Sequence, residues 1–442
     1  MPIRVLCCCG SLESGGSERQ LWQLAVGLPP QRFAAELYLI YRRGAYLEKV
    51  PSHIPVIDFS SQASIPQLPA QQLSTQLLPA QHISASLWRA PGSIHRQQVR
   101  HLISTLRERR IDVVYDRTFH MTLLTAVACR ATRTPRVSVI VSPPSQDFVR
   151  SPERFRWIKK RLLARAYRDQ NSICLAVSDS VAQDAANFYR LTRSNIWVVP
   201  SPIDIDEVES AARATMALDS DLAGGQSVWR WMVVGRLSGE KGQRLAIRAM
   251  ARLRAMRPEL FHPRSIELVL IGAGPERDAL VDLVDHLDLQ SFVRFEGQLV
   301  NPYPWIRTAQ LLCIPSLYEG LPNVALEAMC LHTPIVATDC SGSLRELLGV
   351  PSPSAAHEEY PRPVESPLPA GQFTEGERGV LIPVEDEEAL AHAVLDSIDR
   401  PQLWTGRATA ASQWVRARHG MQPWLAQMQQ LFEVLPIAER SE

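Results

Sequence analysis

Short apolar runs alternate along the chain with longer stretches whose apolar positions recur at helical spacing, the pattern of parallel strands joined by crossover helices. In the first part the predicted strands are Ile3 to Cys9, Ala35 to Ile40, Val113 to Tyr115, Val137 to Val141, Ile173 to Val177 and Ile196 to Val199. Trp229 to Val234, Ile266 to Ile271, Val293 to Phe295, Leu311 to Ile314 and Pro334 to Ala337 repeat the rhythm in the second part. The expected fold class is α/β, with two Rossmann-like, doubly wound units in tandem, residues 1–215 and 216–405. The polar, Gly-containing stretch Asp219 to Ser227 marks their junction. Trp404 to Val434 is a last helical region, long enough to cross back, so residues 406–442 are expected to return to the first unit. Residues 60–86, rich in Ser, Gln and Pro, and residues 350–372, rich in Pro, Glu and Ser, read as surface insertions.

Composition narrows the class. A chain of 442 residues, 45% hydrophobic and 21% charged, is long enough for more than one core. The net charge of +1 conceals an asymmetry: residues 1–200 hold 26 Lys and Arg against 13 Asp and Glu, and the remainder holds 21 against 33. A positive first part suits an anionic partner such as a lipid surface or a phosphorylated acceptor. Eight cysteines include the consecutive Cys7, Cys8 and Cys9 but no C-x-x-C pair, which excludes a zinc or disulfide framework and reads as small core residues in a reduced compartment. The first residues lead directly into a strand, and no run approaches the roughly 18 apolar residues of a membrane span. The expected location is the cytoplasm, at most touching a membrane from one side.

In open α/β sheets ligands bind beyond the carboxyl ends of the strands, so the chemistry belongs in loops that follow strands. The sharpest signal is Pro315-Ser-Leu-Tyr-Glu-Gly-Leu-Pro-Asn-Val-Ala-Leu-Glu-Ala-Met329, a strand end running into a helix, with Glu319 and Glu327 eight apart. Pro322 suits a first helical turn, and the amides around Gly320, Leu321, Asn323 and Val324 with the helix dipole form an anion site fit for a diphosphate. Glu327, further along that helix, lies at about the distance from phosphate to ribose and can accept hydrogen bonds from both ribose hydroxyls. Glu319, just before it, can hold hydroxyls of a transferred sugar. The second signal, Trp231-Met-Val-Val-Gly-Arg-Leu-Ser-Gly-Glu-Lys-Gly242, is a strand and tight loop carrying Arg236 and Lys241, two cations able to stabilise the charge growing on a departing diphosphate. With protein cations in that place no metal ion and no cofactor are expected. The third, Gly15-Gly16-Ser17-Glu18, lets backbone approach a phosphate from the other unit. Leu268-Val-Leu-Ile-Gly-Ala-Gly-Pro-Glu276 lacks a third glycine at the dinucleotide position and reads as a structural turn lining the cleft, and Asp204-Ile-Asp206 as a helix cap.

With these residues assembled, the chain resembles the family-4 retaining glycosyltransferases of the GT-B fold, two facing Rossmann-like domains with a central cleft, over most of its length. The order carries it: Gly15-Gly-Ser-Glu18, Ala176-Val-Ser-Asp-Ser180, Val198-Val-Pro-Ser-Pro-Ile-Asp204, Gly235-Arg-Leu237 with Lys241, the E-x7-E pair Glu319 and Glu327, Val336-Ala-Thr-Asp339 and Gly379-Val-Leu-Ile-Pro383. The resemblance implies a nucleoside-diphosphate sugar, usually a uridine one, held mainly by the second domain. Arg236 and Lys241 would then contact the diphosphate, Glu327 the ribose and Glu319 the donor sugar, with Gly297-Gln298 near the base. It further implies a glycan or lipid-linked acceptor held by the first domain, and retention on one face of the sugar with the departing phosphate deprotonating the acceptor. The sequence departs from the family at Val137-Ser-Val-Ile-Val-Ser-Pro-Pro144, which ends in Ser142 and prolines where members commonly carry a histidine, and His120 is the candidate substitute. Ser201 replaces a common Asn. A non-catalytic binder of the same fold and a nucleotide-sugar epimerase are the alternative readings. Arg150 to Arg168, with Arg154 to Arg168 interleaving basic and apolar side chains, reads either as a surface for anionic lipid or as an ordinary solvated helix face, and no nucleic-acid partner is expected.

Overall fold

The computed structural model describes residues 1–13, 15–60, 93–150, 155–213, 228–262, 265–351 and 368–435. The expected junction at Asp219 to Ser227, the two expected insertions apart from their ends, and Arg154 lie outside the described residues. Two seven-stranded sheets carry the chain. The first contains β1 (Ile3–Cys9), β2 (Phe33–Leu39), β3 (Val56–Asp58), β4 (Val113–Arg117), β5 (Arg136–Ile140), β6 (Ser172–Ala176) and β7 (Ile196–Val198). They lie in the order β3-β2-β1-β4-β5-β6-β7 and every pairing is parallel. The second contains β8 (Trp229–Val234), β9 (Ile266–Ile271), β10 (Val293–Gly297), β11 (Leu311–Ile314), β12 (Ile335–Thr338), β13 (Thr374–Glu375) and β14 (Val380–Ile382). Its order is β10-β9-β8-β11-β12-β14-β13, with only β13 antiparallel to its neighbour.

The near-continuous apolar strands follow from burial on both faces. Leu268, Val269, Leu270 and Trp231 are wholly buried, helices cover both faces of each sheet, and the hydrophobic side chains form a cluster on each side. β3, β13 and β14 escape the sequence reading because two or three residues at or near a sheet edge carry too little periodicity to stand out. All eight cysteines are unpaired, and seven of them are buried.

In both sheets the chain reverses its winding at one point, between β1 and β4 and between β8 and β11. Such a reversal opens a crevice at the carboxyl ends of the two central strands. The loops after β8 and β11 are those carrying Arg236 with Lys241 and Glu319 with the helix Asn323–Cys330. The loops after β1 and β4 carry Gly15 with Gly16 and Thr118 with His120.

The last helix, Met421–Val434, belongs to the first core. Its Trp424, Leu425, Met428, Leu431 and Phe432 are buried among the side chains of β1, β2 and β4, and Phe432 packs edge-on against Phe33 with ring centroids 6.2 Å apart. Before it, the helix Pro401–Arg418 contributes Ala411 and Val415 to a core cluster of the second sheet. Its last two helices thus tie the two lobes together.

Candidate functional site

The turn after β8 is fixed by backbone. Gly235 N donates to Ile271 O at 2.9 Å, Leu237 N to Ala273 O at 3.0 Å, and Leu317 N, from the loop after β11, to Glu240 O at 2.8 Å. Gly242 has φ +66°, and a side chain there would place Cβ 1.9 Å from Pro315 O, so glycine is needed for the two loops to meet. Gly272 and Gly274 give the turn after β9 the same closeness to Gly235 and Leu237, the structural role expected of that segment. Lys241 is thereby aimed at Glu319, with Nζ to Oε1 2.7 Å, and Ser316 Oγ donates to the same oxygen at 2.7 Å. Burial pulls the Lys241 ammonium down, but the Glu319 carboxylate outweighs it, and the net direction is upward. Lys241 is therefore a fixed cation. Arg236 stands half-buried at the start of the same turn, its carbonyl held by Gln243 Nε2 at 2.8 Å.

The helix after Glu319 spans Asn323–Cys330, and Pro322 is its N-cap in extended conformation. This corrects the expected start by one residue: Asn323, not Pro322, opens the first turn. The reason is that Pro322 O accepts from Ala325 N at 3.0 Å, as an N-cap carbonyl does, while its own φ/ψ stays extended. The amides of Asn323 and Val324 are among those that a helix cannot satisfy internally. One turn on, Glu327 is buried and bridged by Arg19 of the first lobe, Nη1 to Oε1 2.7 Å, and Arg19 Nη1 also donates to Tyr303 Oη at 2.7 Å. Burial would lower the Arg19 guanidinium, yet the Glu327 carboxylate turns the net shift upward.

The first lobe closes directly on this helix. Gln20 Nε2 donates to Asn323 Oδ1 at 3.1 Å, and a Cβ on Gly16 would fall 2.2 Å from Asn323 Nδ2. The glycine loop therefore makes room for a side chain of the other lobe, as well as for backbone. Gly15 is the N-cap of the helix Gly16–Gly27, and Glu18 folds back over it. On the far side, a Cβ on Gly320 would lie 1.9 Å from Val141 O, so the two lobes touch there through main chain. Gly297 ends β10 with φ +69° and accepts from Gly272 N at 2.7 Å, and Gln298 beyond it is exposed.

Against Gly320 lies a cavity of about 300 Å³ in the first lobe, lined by Thr118, Phe119, Val139, Val141, Ser142, Asp147, Phe148 and Lys159. Thr118 has φ +78°, a strained value for a β-branched residue. Asp116, two residues earlier, pins this turn by accepting from Thr122 at 2.6 Å, Thr125 at 2.6 Å and Ser138 at 2.7 Å. Asp147 accepts from Ser142 Oγ and from the Tyr318 hydroxyl of the other lobe. Burial raises the Asp147 carboxyl, with those hydrogen bonds and Lys159 opposing it. The cavity wall after β4 is made by Thr118 and Phe119, whereas His120 is exposed on the helix Phe119–Thr132. Asp204 caps its helix, accepting from Glu207 N at 3.0 Å. Among the described residues no cluster of three or more His, Cys, Asp or Glu is placed to hold a metal ion.

A cleft walled by two doubly wound sheets, with Lys241, Glu319 and Glu327 at one winding reversal, agrees with comparison to known families. Residues 14–207 match the family described as Glycosyltransferase Family 4, and residues 230–357 match Glycosyl transferases group 1. The chain belongs to the family-4, group 1 glycosyltransferases of the GT-B fold. The chain resembles, over 98% of its length and 100% of theirs, the crystal structures of Anabaena HepE in complex with UDP (TM-score 0.70, 21% identity) and with UDP-glucose (TM-score 0.70, 20% identity). WaaG, a glycosyltransferase involved in lipopolysaccharide biosynthesis, is similar with TM-score 0.66 at 14% identity, covering 99% of this chain and all of WaaG. At such identities the likeness concerns the fold.

Curated relatives match over shorter stretches. The N-acetylgalactosamine-N,N'-diacetylbacillosaminyl-diphospho-undecaprenol 4-alpha-N-acetylgalactosaminyltransferase of Campylobacter jejuni is 27% identical over 192 residues, 43% of this chain and 48% of the relative. The D-inositol 3-phosphate glycosyltransferase of Mycolicibacterium smegmatis is 33% identical over 176 residues, 36% of each chain. The matched stretches thus span less than half of either relative. Within this chain, Arg19, Gln20, Tyr303, Asp147 and Tyr318 are the residues that sequence reasoning missed. Each reaches the cleft through a partner on the other lobe, and the only signal for Arg19 was its place directly after Gly15-Gly-Ser-Glu18.

Proposed function

We propose that this protein transfers a hexose or N-acetylhexosamine from a uridine-diphosphate sugar to a glycan or lipid-linked glycan acceptor, with retention of configuration, in cell-envelope or surface polysaccharide synthesis. The observation that carries the reading is the convergence of Lys241, Glu319 and the start of the Glu327 helix from separate loops onto one winding reversal. Lys241 and Arg236 hold the diphosphate together with the unsatisfied amides at Asn323 and Val324, so that charge growing on the departing oxygen meets donors already in place. These side chains serve where a metal ion or other cofactor would otherwise be required. Glu327 accepts from the ribose hydroxyls, and Glu319, held by Lys241 and Ser316, orients hydroxyls of the sugar. Gly297 and Gln298 border the base, and Gly15, Gly16, Gly320 and Leu321 shape the cleft.

The acceptor occupies the cavity of Thr118, Ser142, Asp147 and Lys159. Its hydroxyl oxygen forms the new bond to the anomeric carbon as the bond from that carbon to the phosphate oxygen breaks. The hydroxyl proton passes to the departing phosphate on the same face of the sugar, so no protein nucleophile takes part. His120 is a candidate to assist at this hydroxyl. Support comes from neighbours solved with UDP and with UDP-glucose, and from a relative whose name describes transfer to a diphospho-undecaprenol glycan.

The test is a thermal-shift screen of sugar nucleotides followed by assay of released nucleoside diphosphate with glycan and lipid-linked acceptors. Stabilisation by a UDP-sugar and acceptor-dependent release of UDP are expected. Donor binding with no release under any acceptor identifies a non-catalytic binder, and conversion of the sugar nucleotide without acceptor identifies an epimerase.

A further inference from the structure

Fourteen large apolar side chains are left exposed among the described residues, and five of them, Val149, Phe155, Trp157, Ile158 and Leu162, fall within residues 149–162. Val149 is 69% exposed, Phe155 and Trp157 67% each, and Leu162 50%. The helix Arg156–Tyr167 already buries an apolar face, Leu163, Ala164, Ala166 and Tyr167, against the first core. An ordinary surface helix would carry polar groups on the opposite side. Here Ile158 and Leu162 stand outward one turn apart, alternating with exposed Arg161 and Arg165.

Charge selects the partner. Residues 150–168 contain eight Lys and Arg against Glu153 alone. Among the described residues no carboxylate pairs with Arg161 or Arg165. Lys160 is turned inward over the Phe188 ring at 3.8 Å, and Lys159 over Phe119 and Phe148 at 5.7 and 5.5 Å. Arg156 Nη1 donates to Phe148 O at 2.7 Å and Val149 O at 2.9 Å, which fixes Val149 beside the start of the helix. The face presents aromatic and aliphatic side chains framed by Arg161 and Arg165, with which no described carboxylate pairs. It matches the interface of an anionic bilayer, where apolar groups enter the acyl boundary and guanidinium groups reach headgroup phosphates.

We propose that Val149, Phe155, Trp157, Ile158, Leu162, Arg161 and Arg165 form a docking face for an anionic membrane, on which the first lobe lies without crossing. No described helix is long and apolar enough to cross a membrane. Phe148 and Lys159, sequence neighbours of Val149 and Ile158, line the cavity beside Ser142 and Asp147, so docking brings that cavity close to the lipid surface. An acceptor anchored in the bilayer reaches it without leaving the membrane.

The test is co-sedimentation of the full chain with vesicles of phosphatidylcholine alone and of phosphatidylcholine mixed with phosphatidylglycerol. Binding is expected only to the mixed vesicles and is weakened by salt. Arg161→Gln with Arg165→Gln lowers that partitioning by about tenfold or more, and Trp157→Ser with Leu162→Gln does the same through lost apolar insertion. The thermal melt of each variant, followed by circular dichroism, is the control of folding. Equal binding to both vesicle types, no binding to either, or variants that bind like the parent overturn the proposal. So does lipid-free dimerisation, seen by sedimentation velocity, that the same variants abolish, since a second copy would then cover the face. Vesicle binding is read without any transfer reaction, so its failure leaves the donor reading intact and the reverse also holds.

Discussion

Arg19 of the first lobe and Glu327 of the second meet with Nη1 and Oε1 2.7 Å apart, and their side chains are only 12% and 10% exposed. The carboxylate proposed to read the donor ribose is thus positioned by the lobe opposite the one that carries it. Arg19 engages Oε1, and a carboxylate has lone pairs enough on its two oxygens to receive ribose hydroxyls besides. Removing one partner leaves a desolvated charge, which costs more than the pair contributes. Arg19→Ala and Glu327→Ala should therefore each lower stability, and the double variant should lose less than the two together, with a coupling of roughly 0.5–3 kcal/mol. Urea unfolding of the four proteins checks this, and additive losses would show that the pair does not couple the lobes. Donor affinity, measured by calorimetry, should fall further in Glu327→Ala than in Arg19→Ala.

Lys241 is anchored, its ammonium 2.7 Å from Glu319 Oε1. If its counter-charge on the phosphate develops only as the sugar leaves, Lys241→Ala should depress turnover by about 10²–10³ while the donor dissociation constant moves much less. Initial rates at saturating donor, set beside calorimetric binding, separate the two. A loss confined to binding would assign Lys241 to ground-state recognition.

The same pair sets an alkaline limit on stability. The Lys241 pKa is raised in the folded protein, burial opposing and Glu319 prevailing. A raised pKa means that the folded state holds the proton more tightly, so the stabilisation is fully present below the unfolded value of about 10.4 and is lost as pH rises through the folded value. The difference in urea midpoint between parent and Lys241→Met should stay flat to about pH 10 and shrink above it. A difference that shrinks between pH 5 and 8 would point to another group.

Gly320 approaches Val141 so closely that an added Cβ would sit 1.9 Å from its carbonyl oxygen. Gly320→Ala must push the lobes apart or shift the loop that carries Glu319, a strain of about 1–3 kcal/mol. Small-angle scattering with UDP present should show a larger radius of gyration than the parent, with weaker donor binding. An unchanged radius would mean that the loop yields instead of the cleft.

Reading the sequence found both sheets because their central strands are buried on two faces and so appear as unbroken apolar runs. Trp229–Val234, Ile266–Ile271 and Leu311–Ile314 have the bounds expected of them. The edge strands Val56–Asp58 and Thr374–Glu375 are too short to announce themselves. In the cleft, Lys241 and Glu319 were legible because each sits in the loop that follows a strand, where glycine marks the turn, and Glu327 because it lies on the helix that Pro322 caps. Arg19, Tyr303, Asp147 and Tyr318 were not, since their partners lie on the opposite lobe and no local pattern records such a meeting.

The residues alone determined two doubly wound units, the strand ends where chemistry gathers, and a carboxylate and a cation at fixed offsets from glycines. Those are local facts, governed by burial periodicity and by backbone angles that few residue types tolerate. Tertiary structure decided which loops share a crevice and that Arg19 reaches Glu327. It also left Ile158 and Leu162 facing outward while Leu163 and Tyr167 face the core. Contacts between segments hundreds of residues apart depend on how two sheets wind and how their lobes close, and no window of sequence contains that geometry.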